Sequence, residues 1–406
     1  MLVRAAIVVL LATLTMLAGC GDNTTIPTAT TESKQPPPEL PEGILVERVP
    51  EGADIIFTSI RYVLNNIDCL DDDYGVKENF ITDADCNRLI YNAAGTGLAS
   101  PRQLFTLDIE SGEIVQLTNT DYFFTGAHVV NPTTLMASAA CADTSGDGSI
   151  GDDDEKELYY IDLSGGEFDC LTEPYGFEDI NNPDHSPVAG KTVFSGALEG
   201  WGSNKLFTID AGKNLVQLTD DDEYSDFDCA WSEDGTRIVF SRLPKQDFPW
   251  TIPSQIWMID ADGTNAVKIT DGGANPNDED NLGVFPIGLD ADPDLSPDNQ
   301  KVVFSRLATG IQNVPFGVYQ LIIIDVETGQ EEIIDTRYAN MLPEWKSRGI
   351  LCIRQIGSDT NTDISRIDPV TIKQSLYIYE DSVFSELEEY PYNIFPIGSF
   401  GANWIE

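Results

Sequence analysis

One stretch of this chain spaces its oxygen-bearing side chains as a bound calcium ion requires. In D-T-S-G-D-G-S-I-G-D-D-D, from Asp143 to Asp154, oxygen ligands fall at loop positions 1, 3, 5 and 12 through Asp143, Ser145, Asp147 and Asp154. Position 7 is left to the carbonyl of Ser149, and Gly148 occupies position 6, where such loops turn sharply. Apolar Ile150 at position 8 completes the spacing; the bland alternative is a solvated acidic loop. The other acidic runs, DDDYG from Asp71, DDDEY from Asp220 and NDEDN from Asn277, lack this spacing. The chain has two histidines, His128 in GAHVV and His185 in NPDHS. They read as equivalent positions of two repeats, either as a metal or general-base pair or as structural side chains without catalysis. No G-x-S-x-G, H-E-x-x-H or phosphate-binding glycine loop occurs.

These residues must be held by a repeat architecture. The phrases LFTLDIESGEIVQLT from Leu104, LYYIDLSGGEFDCLT from Leu158, LFTIDAGKNLVQLT from Leu206, IWMIDADGTNAVKIT from Ile256 and LIIIDVETGQEEIID from Leu321 each combine an apolar run ending in Asp, a short turn and a second run. That is a β-hairpin pattern. The marker residues Asp108, Asp162, Asp210, Asp260 and Asp325 lie 48 to 65 residues apart, near the spacing of a four-stranded propeller blade. A second phrase, NPDHSPVAGKTVFS from Asn182, DCAWSEDGTRIVFS from Asp228 and DPDLSPDNQKVVFS from Asp292, supplies a short strand, a turn and an apolar strand. PEWKSRGILCIR from Pro343 with LYIY from Leu376 makes a weaker sixth unit. The expectation is an all-β, six-bladed propeller of four-stranded antiparallel blades over residues 43–406. GANWIE, from Gly401, reads as the inner strand of the first blade, pairing with RLIYNA from Arg88; DIIFTSI from Asp54 competes for the same place.

The alternating turn and hairpin phrases resemble the TolB-type, WD40-like propeller repeat, whose blades carry a W-S-P-D-G turn and a later Y-x-x-D-x-x-x-G-x-x-x-x-L-T hairpin. The resemblance implies the fold and leaves the function open, because such repeats serve envelope proteins, peptidase-linked domains and lyases alike. The Asp143 loop resembles the EF-hand loops of dockerins, which also end in Asp, here with strands on either side.

The amino terminus, MLVR followed by an apolar run from Ala5 to Ala18, is too short to cross a bilayer and reads as a signal peptide over residues 1–19. Leu17-Ala18-Gly19-Cys20 matches the bacterial lipobox; the match implies acylation of Cys20 and a membrane attachment through that lipid. Residues 20–42 form a Thr- and Pro-rich tether with too little apolar surface to order itself. The implied location is the bacterial cell envelope, lipid-anchored and facing the periplasm or the exterior.

A net charge of -45, from 23 Lys and Arg against 68 Asp and Glu, excludes nucleic acid, which needs a basic surface. Cys69 and Cys86 flank an acidic loop and are the first choice for a disulfide in an oxidising compartment, while Cys229 and Cys352 fall inside strand patterns as small apolar residues. The tight turns SEDG, SPDN, ESGE and ADGT lie on one face of the ring. The insertions Asp143 to Glu155, Leu243 to Pro253, Gly272 to Gly288, Leu307 to Val318 and Gly357 to Ile372 crowd the other, where binding residues tend to sit. The functional expectation is a non-enzymatic scaffold with a structural calcium loop that binds an envelope protein or a glycan through that face. The alternative is a polysaccharide lyase or hydrolase using His128, His185 and a channel Asp.

Overall fold

The computed structural model describes residues 42–404 apart from 61–101, 111–112, 147, 149, 152–153, 199, 246–251, 274–287, 309–317, 336–338, 348, 358–371, 381 and 387–402. Within them lie six four-stranded antiparallel sheets, as the repeats predict. Blade 2 comprises Phe123–Asn131, Thr134–Ala140, Glu157–Asp162 and Glu167–Cys170; blade 3 comprises Phe177–Ser186, Lys191–Leu198, Lys205–Asp210 and Leu215–Gln217. Blade 4 comprises Tyr224–Trp231, Arg237–Pro244, Gln255–Asp260 and Val267–Lys268; blade 5 comprises Asp290–Leu295, Lys301–Ala308, Val318–Asp325 and Glu331–Asp335. Blade 6 comprises Ala339–Lys346, Gly349–Gly357, Ile372–Glu380 and Val383–Glu386. The innermost strands of successive blades adjoin, so the sheets form a ring.

Blade 1 closes the ring with both ends of the chain. Asn403–Trp404 pairs with Ile55 and Ile56, and Ile55–Ile60 then pairs with Arg102–Leu107. The C-terminal strand takes the inner place expected of it, but its partner is DIIFTSI rather than RLIYNA. The two candidates for one strand are neighbours, and Arg88 lies outside the described residues. The alternation in DIIFTSI and in RLIYNA is equally strand-like, so pattern alone could not choose between them. Cys69 and Cys86 also lie outside the described residues, as do Cys20 and the tether up to residue 41.

The recurrent phrases have local physical causes. The marker aspartates staple the hairpin turns: Asp162 Oδ1 accepts from the amides of Ser164 and Gly165 at 2.9 and 3.0 Å, and Asp325 Oδ1 from Thr328 at 2.8 Å. The closing Leu-Thr serves the far end of the same hairpin. Leu117, Leu171 and Leu218 donate to the carbonyls of Leu104, Leu158 and Leu206. The following Thr118, Thr172 and Thr219 hydroxyls accept from the amides of those same residues at 2.9–3.0 Å. In the turn before the second strand, Ser232 Oγ accepts from Arg237 N at 2.9 Å while Gly235 takes φ = 66°. Asn299 takes the corresponding left-handed place at φ = 58°. That conformation is open to glycine and tolerated by asparagine, which is why the turn phrase carries those residues.

The apolar core lies between the blades. Met136 and Leu158 of blade 2 pack with Ile180, Phe194, Phe207 and Ile209 of blade 3, and equivalent clusters join blades 3 to 4, 4 to 5 and 5 to 6. Cys229 and Cys352 are buried, as their strand setting predicts. Two buried ion pairs sit at the outer end of the second strands. Arg242 holds Asp226 bidentately at 2.6 and 2.9 Å beneath Trp257 and Tyr224, and Arg306 holds Asp290 at 2.5 and 3.0 Å. Asp226 is wholly buried and the Arg242 side chain 7% exposed, so losing one partner strands an unpaired charge in apolar surroundings. Asp226→Ala is expected to destabilise the ring by about 3–5 kcal/mol in denaturant titration, well above the effect of an exposed Asp→Ala change.

Candidate functional site

The innermost strands bring carboxylates and both histidines to the central channel. Each of four strands carries a bulge, between Asn181 and Asp184, Phe227 and Ala230, Ala291 and Asp294, and Met341 and Glu344. The bulged residues Asn182, Asp228, Asp292 and Leu342 all adopt φ of 46–51°. For a non-glycine residue this is costly backbone, and its recurrence at one place in four blades marks a shared demand.

That demand is contact between blades. Trp231 N donates to Asp184 Oδ2, and Trp345 N to Asp294 Oδ2, each at 2.6 Å. One level away, Asp292 N donates to Asp228 Oδ2 and Leu342 N to Asp292 Oδ2, each at 3.4 Å. Blade 3 is thus tied to 4, 4 to 5, and 5 to 6 by carboxylate-to-amide bonds around the channel.

Enclosure makes these carboxylates reluctant to ionise. Burial pushes Asp228 up to about 6, against the bond from Asp292. Burial and the neighbouring Asp228 charge push Asp292 well above the usual range. Both residues lie between blades and are only partly exposed, so little water solvates the charge. Asp294 is raised to about 7, chiefly by burial, with Lys346 opposing and Asp184 adding to the shift. The Tyr319 phenol is likewise raised by burial and by the carboxylates of Asp292 and Asp228.

The histidines are not equivalent. His128 pairs with Met136 and His185 with Thr192, whereas the residue of blade 3 in the register of His128 is Asp184, opposite Val193. Blade 2 has a register irregularity between Val129 and Asn131, on the turn side of His128, and blade 3 has its own between Asn181 and Asp184, so the two phrases run out of step. His128 Nε2 lies 3.0 Å from the Pro183 carbonyl, which requires the proton on that nitrogen, and Nδ1 lies 3.4 Å from Asp184 Oδ1. His185 Nδ1 meets Thr192 Oγ1 at 3.1 Å, with the ring edge-on to Tyr160 of blade 2. Burial lowers the affinity of both rings for a proton, that of His185 to about 4. With Nε2 donating to the Pro183 carbonyl, a neutral His128 presents only a lone pair at Nδ1 to Asp184, so that contact becomes a bond only when the ring is protonated.

The Asp143 loop joins the second and third strands of blade 2. Asp154 is buried and reaches back across the loop, Oδ1 accepting from Thr144 N at 2.7 Å and Ser145 N at 2.8 Å, and Oδ2 from Gly151 N at 2.7 Å. Burial pushes the Asp154 carboxyl up, but those amides outweigh it, and the group ends below its ordinary value. Asp143 Oδ2 accepts from Gly148 N at 2.9 Å, and Gly148 has φ = 98°. Positions 1 and 12 of the loop therefore converge. Each carboxylate oxygen has two acceptor sites, so the bonds within the loop fill Asp154 Oδ1 and Asp143 Oδ1 and leave one site on each Oδ2. Asp147 and Ser149 lie outside the described residues, among which no cluster of three or more His, Cys, Asp or Glu is placed to hold a metal.

No family model matches the chain, and no curated protein matches it. Known structures similar to it include TolB from Acinetobacter baumannii, at 13% identity over 78% of this chain and 63% of that one, with a TM-score of 0.45. Others are an oligogalacturonate lyase in complex with manganese, at 12% identity over 85% of each chain and TM-score 0.47, and the tricorn protease, at 14% identity over 70% of this chain and 24% of that one and TM-score 0.46. The chain spans less than two thirds of the Acinetobacter protein.

The channel carboxylates escaped the sequence reading although their phrases were in view. Asp184, Asp228, Asp292 and Asp294 stand just before the turn in NPDHS, DCAWS and DPDLS, and their recurrence is the signal; in so acidic a chain a lone Asp carries none. Their titration can be checked. A carboxyl raised in the folded state contributes stability that is present below the unfolded value of 3.8 and lost as pH rises to about 7 for Asp294. His185, lowered to about 4, acts in the opposite sense, its contribution being lost as pH falls from 6.5. Comparison with a variant isolates the first. The stability of the wild type relative to Asp294→Asn is expected to fall by up to about 4 kcal/mol between about pH 4 and 7, read from denaturant titrations at each pH.

Proposed function

We propose that this propeller is a non-enzymatic scaffold of the cell envelope, tethered through Cys20, that binds an envelope protein or a glycan through its loop-rich face. The observation that carries the reading is the division of labour between the two faces. First-to-second and third-to-fourth connections are tight, as at Asn131 to Thr134 and Asp162 to Glu167. Every long connection is of the second-to-third or fourth-to-next kind, so all emerge on one rim, and rigid scaffolds carry their binding residues on such loops. The channel side chains, by contrast, are engaged in holding blades together. Turnover of a polysaccharide lost in both His128→Ala and His185→Ala would overturn this reading in favour of a lyase or hydrolase. Crosslinking in intact cells, with capture of the tagged protein, should yield a reproducible envelope partner that is lost when Gly272 to Gly288 is shortened.

Calcium belongs to the same reading as a structural ion of the rim. Asp143, Ser145, Asp147, the Ser149 carbonyl and Asp154 would hold it, and it would stiffen the blade 2 loop by neutralising carboxylates that otherwise repel. The convergence of Asp143 and Asp154 supports this. Calorimetric titration of the full chain with calcium is expected to lose one site in the Asp143→Ala, Asp147→Ala double variant; an unchanged isotherm would refute the ion.

A further inference from the structure

On the loop-rich rim, between blades 3 and 4, a partly open cavity of about 180 Å³ is lined by Trp201, Ser203, Lys205, Gln217, Asp220 and Asp222. Its walls come from the second-to-third connection of blade 3 and from the segment leading into blade 4. Neither carries a motif that the sequence reading singled out, beyond the acidic run at Asp220.

Trp201 is held there in an unusual way. Gly200 and Gly202 on either side both have positive φ, 81° and 67°, and Trp201 N closes the turn onto the Leu198 carbonyl at 3.0 Å. The indole leans on Phe207 at 6.1 Å between ring centroids, with 36° between planes, yet 37% of the residue stays exposed. A large aromatic propped from behind and left open in front is a platform, since burying it fully would have gained more apolar contact.

The polar lining is mixed. Lys205 is buried at the cavity floor and donates to the carbonyls of Asp221 at 2.8 Å and Tyr224 at 2.6 Å. An ammonium has three protons, so two are spoken for. Ser203 is buried beside it, and Gln217 gives its amide N–H to Thr219 O at 2.8 Å, which turns its carbonyl oxygen free to accept. Asp220 and Asp222 are exposed acceptors at the rim.

We infer that this cavity binds a single neutral sugar ring, stacked on Trp201, with its hydroxyls donating to Asp220, Asp222 and Gln217 and accepting from Ser203 or Lys205. Three arguments select that class. An aromatic face suits the C–H face of a pyranose. A lining with both donors and acceptors is matched by hydroxyls, which do both, whereas an organic cation would leave Ser203 unmatched and face the Lys205 ammonium. A uronate or sulfated sugar would meet two carboxylates on a molecule of net charge -45. At about 180 Å³ the cavity has room for a single ring. The inference deepens the glycan branch of the proposed function. It is tested on the purified full chain, so it can fail while an envelope protein partner is still captured in cells.

The experiment is saturation-transfer NMR with the methyl glycosides of glucose, galactose, mannose and N-acetylglucosamine, with the free-acid methyl galactosiduronate and tetramethylammonium as the charged probes. At least one neutral glycoside should bind, with the strongest transfer to its ring C–H protons. Affinity should drop roughly tenfold or more in Trp201→Ala and clearly in Asp222→Asn, and should survive in part in Trp201→Phe. Unchanged thermal midpoints would show that the variants still fold. Failure of all four neutral glycosides, preference for either charged probe, or equal binding by Trp201→Ala and Asp222→Asn would each overturn the assignment.

Discussion

Among the described residues no strand of one blade pairs with a strand of the next, so apart from single backbone bonds such as Asp226 N to Asn204 O and Asp290 N to Ser254 O, what joins the six sheets passes through side chains. Hydrogen bonds from the amides of Trp231 and Trp345 to the carboxylates of Asp184 and Asp294 are the most direct of those ties, each crossing from one blade to the next at 2.6 Å. A backbone amide facing a channel would otherwise lack a partner, and an unpaired buried amide costs about as much as a lost hydrogen bond. The bulges follow from this constraint. By inserting residues at φ near 50°, as at Asp228 and Asp292, the inner strands turn their carboxylates sideways to reach the next blade. The strain costs on the order of 1–3 kcal/mol at each position and persists only because the inter-blade contact offsets it.

The ties also set the electrostatics of the channel. A carboxylate that accepts an amide bond is favoured as an anion, but one enclosed by protein is favoured as the neutral acid. At Asp294 enclosure wins despite the amides of Trp345 and Leu295 and the Lys346 charge, whereas at Asp154, on the rim, three amides and the Thr144 hydroxyl outweigh burial. Both side chains are buried, so the number of donors each carboxylate accepts separates them. An acidic protein concentrates like charge, and holding part of its channel carboxyl set protonated relieves some repulsion where screening by salt cannot reach.

How much could be read from the chain depended on whether a feature repeats. The hairpins and turns recur with fixed spacing because each copy solves the same local problem: an Asp to staple the turn, a Leu-Thr pair to finish the third strand, a Gly or Asn to take positive φ. Those signals gave the blade number and the strand order. The closing strand appears once, so Ile55–Ile60 and RLIYNA could not be ranked by pattern. The histidine offset was hidden because a bulge changes register without changing composition. The carboxylate ties were visible as letters but not as contacts, since the partner of Asp184 is an amide 47 residues away.

Freedom to evolve recognition is therefore unequal across the molecule. A change at Asp184, His128 or Asp294 disturbs a tie between blades, so chemistry there is bound to stability. The rim connections carry less of that duty, with a few ties such as Asn204 to Asp226 and Ser254 to Asp290, since loop length costs little stability and the strands they join are fixed by their own ladders. Trp201 illustrates the point: it sits between two glycines, outside every ladder, on a segment whose removal would leave the sheet of blade 3 intact in its register of Lys191–Leu198 against Lys205–Asp210. The indole covers Phe207 behind it and keeps a face open on a polar rim, and that open face is the part of it that no contact within the blade accounts for.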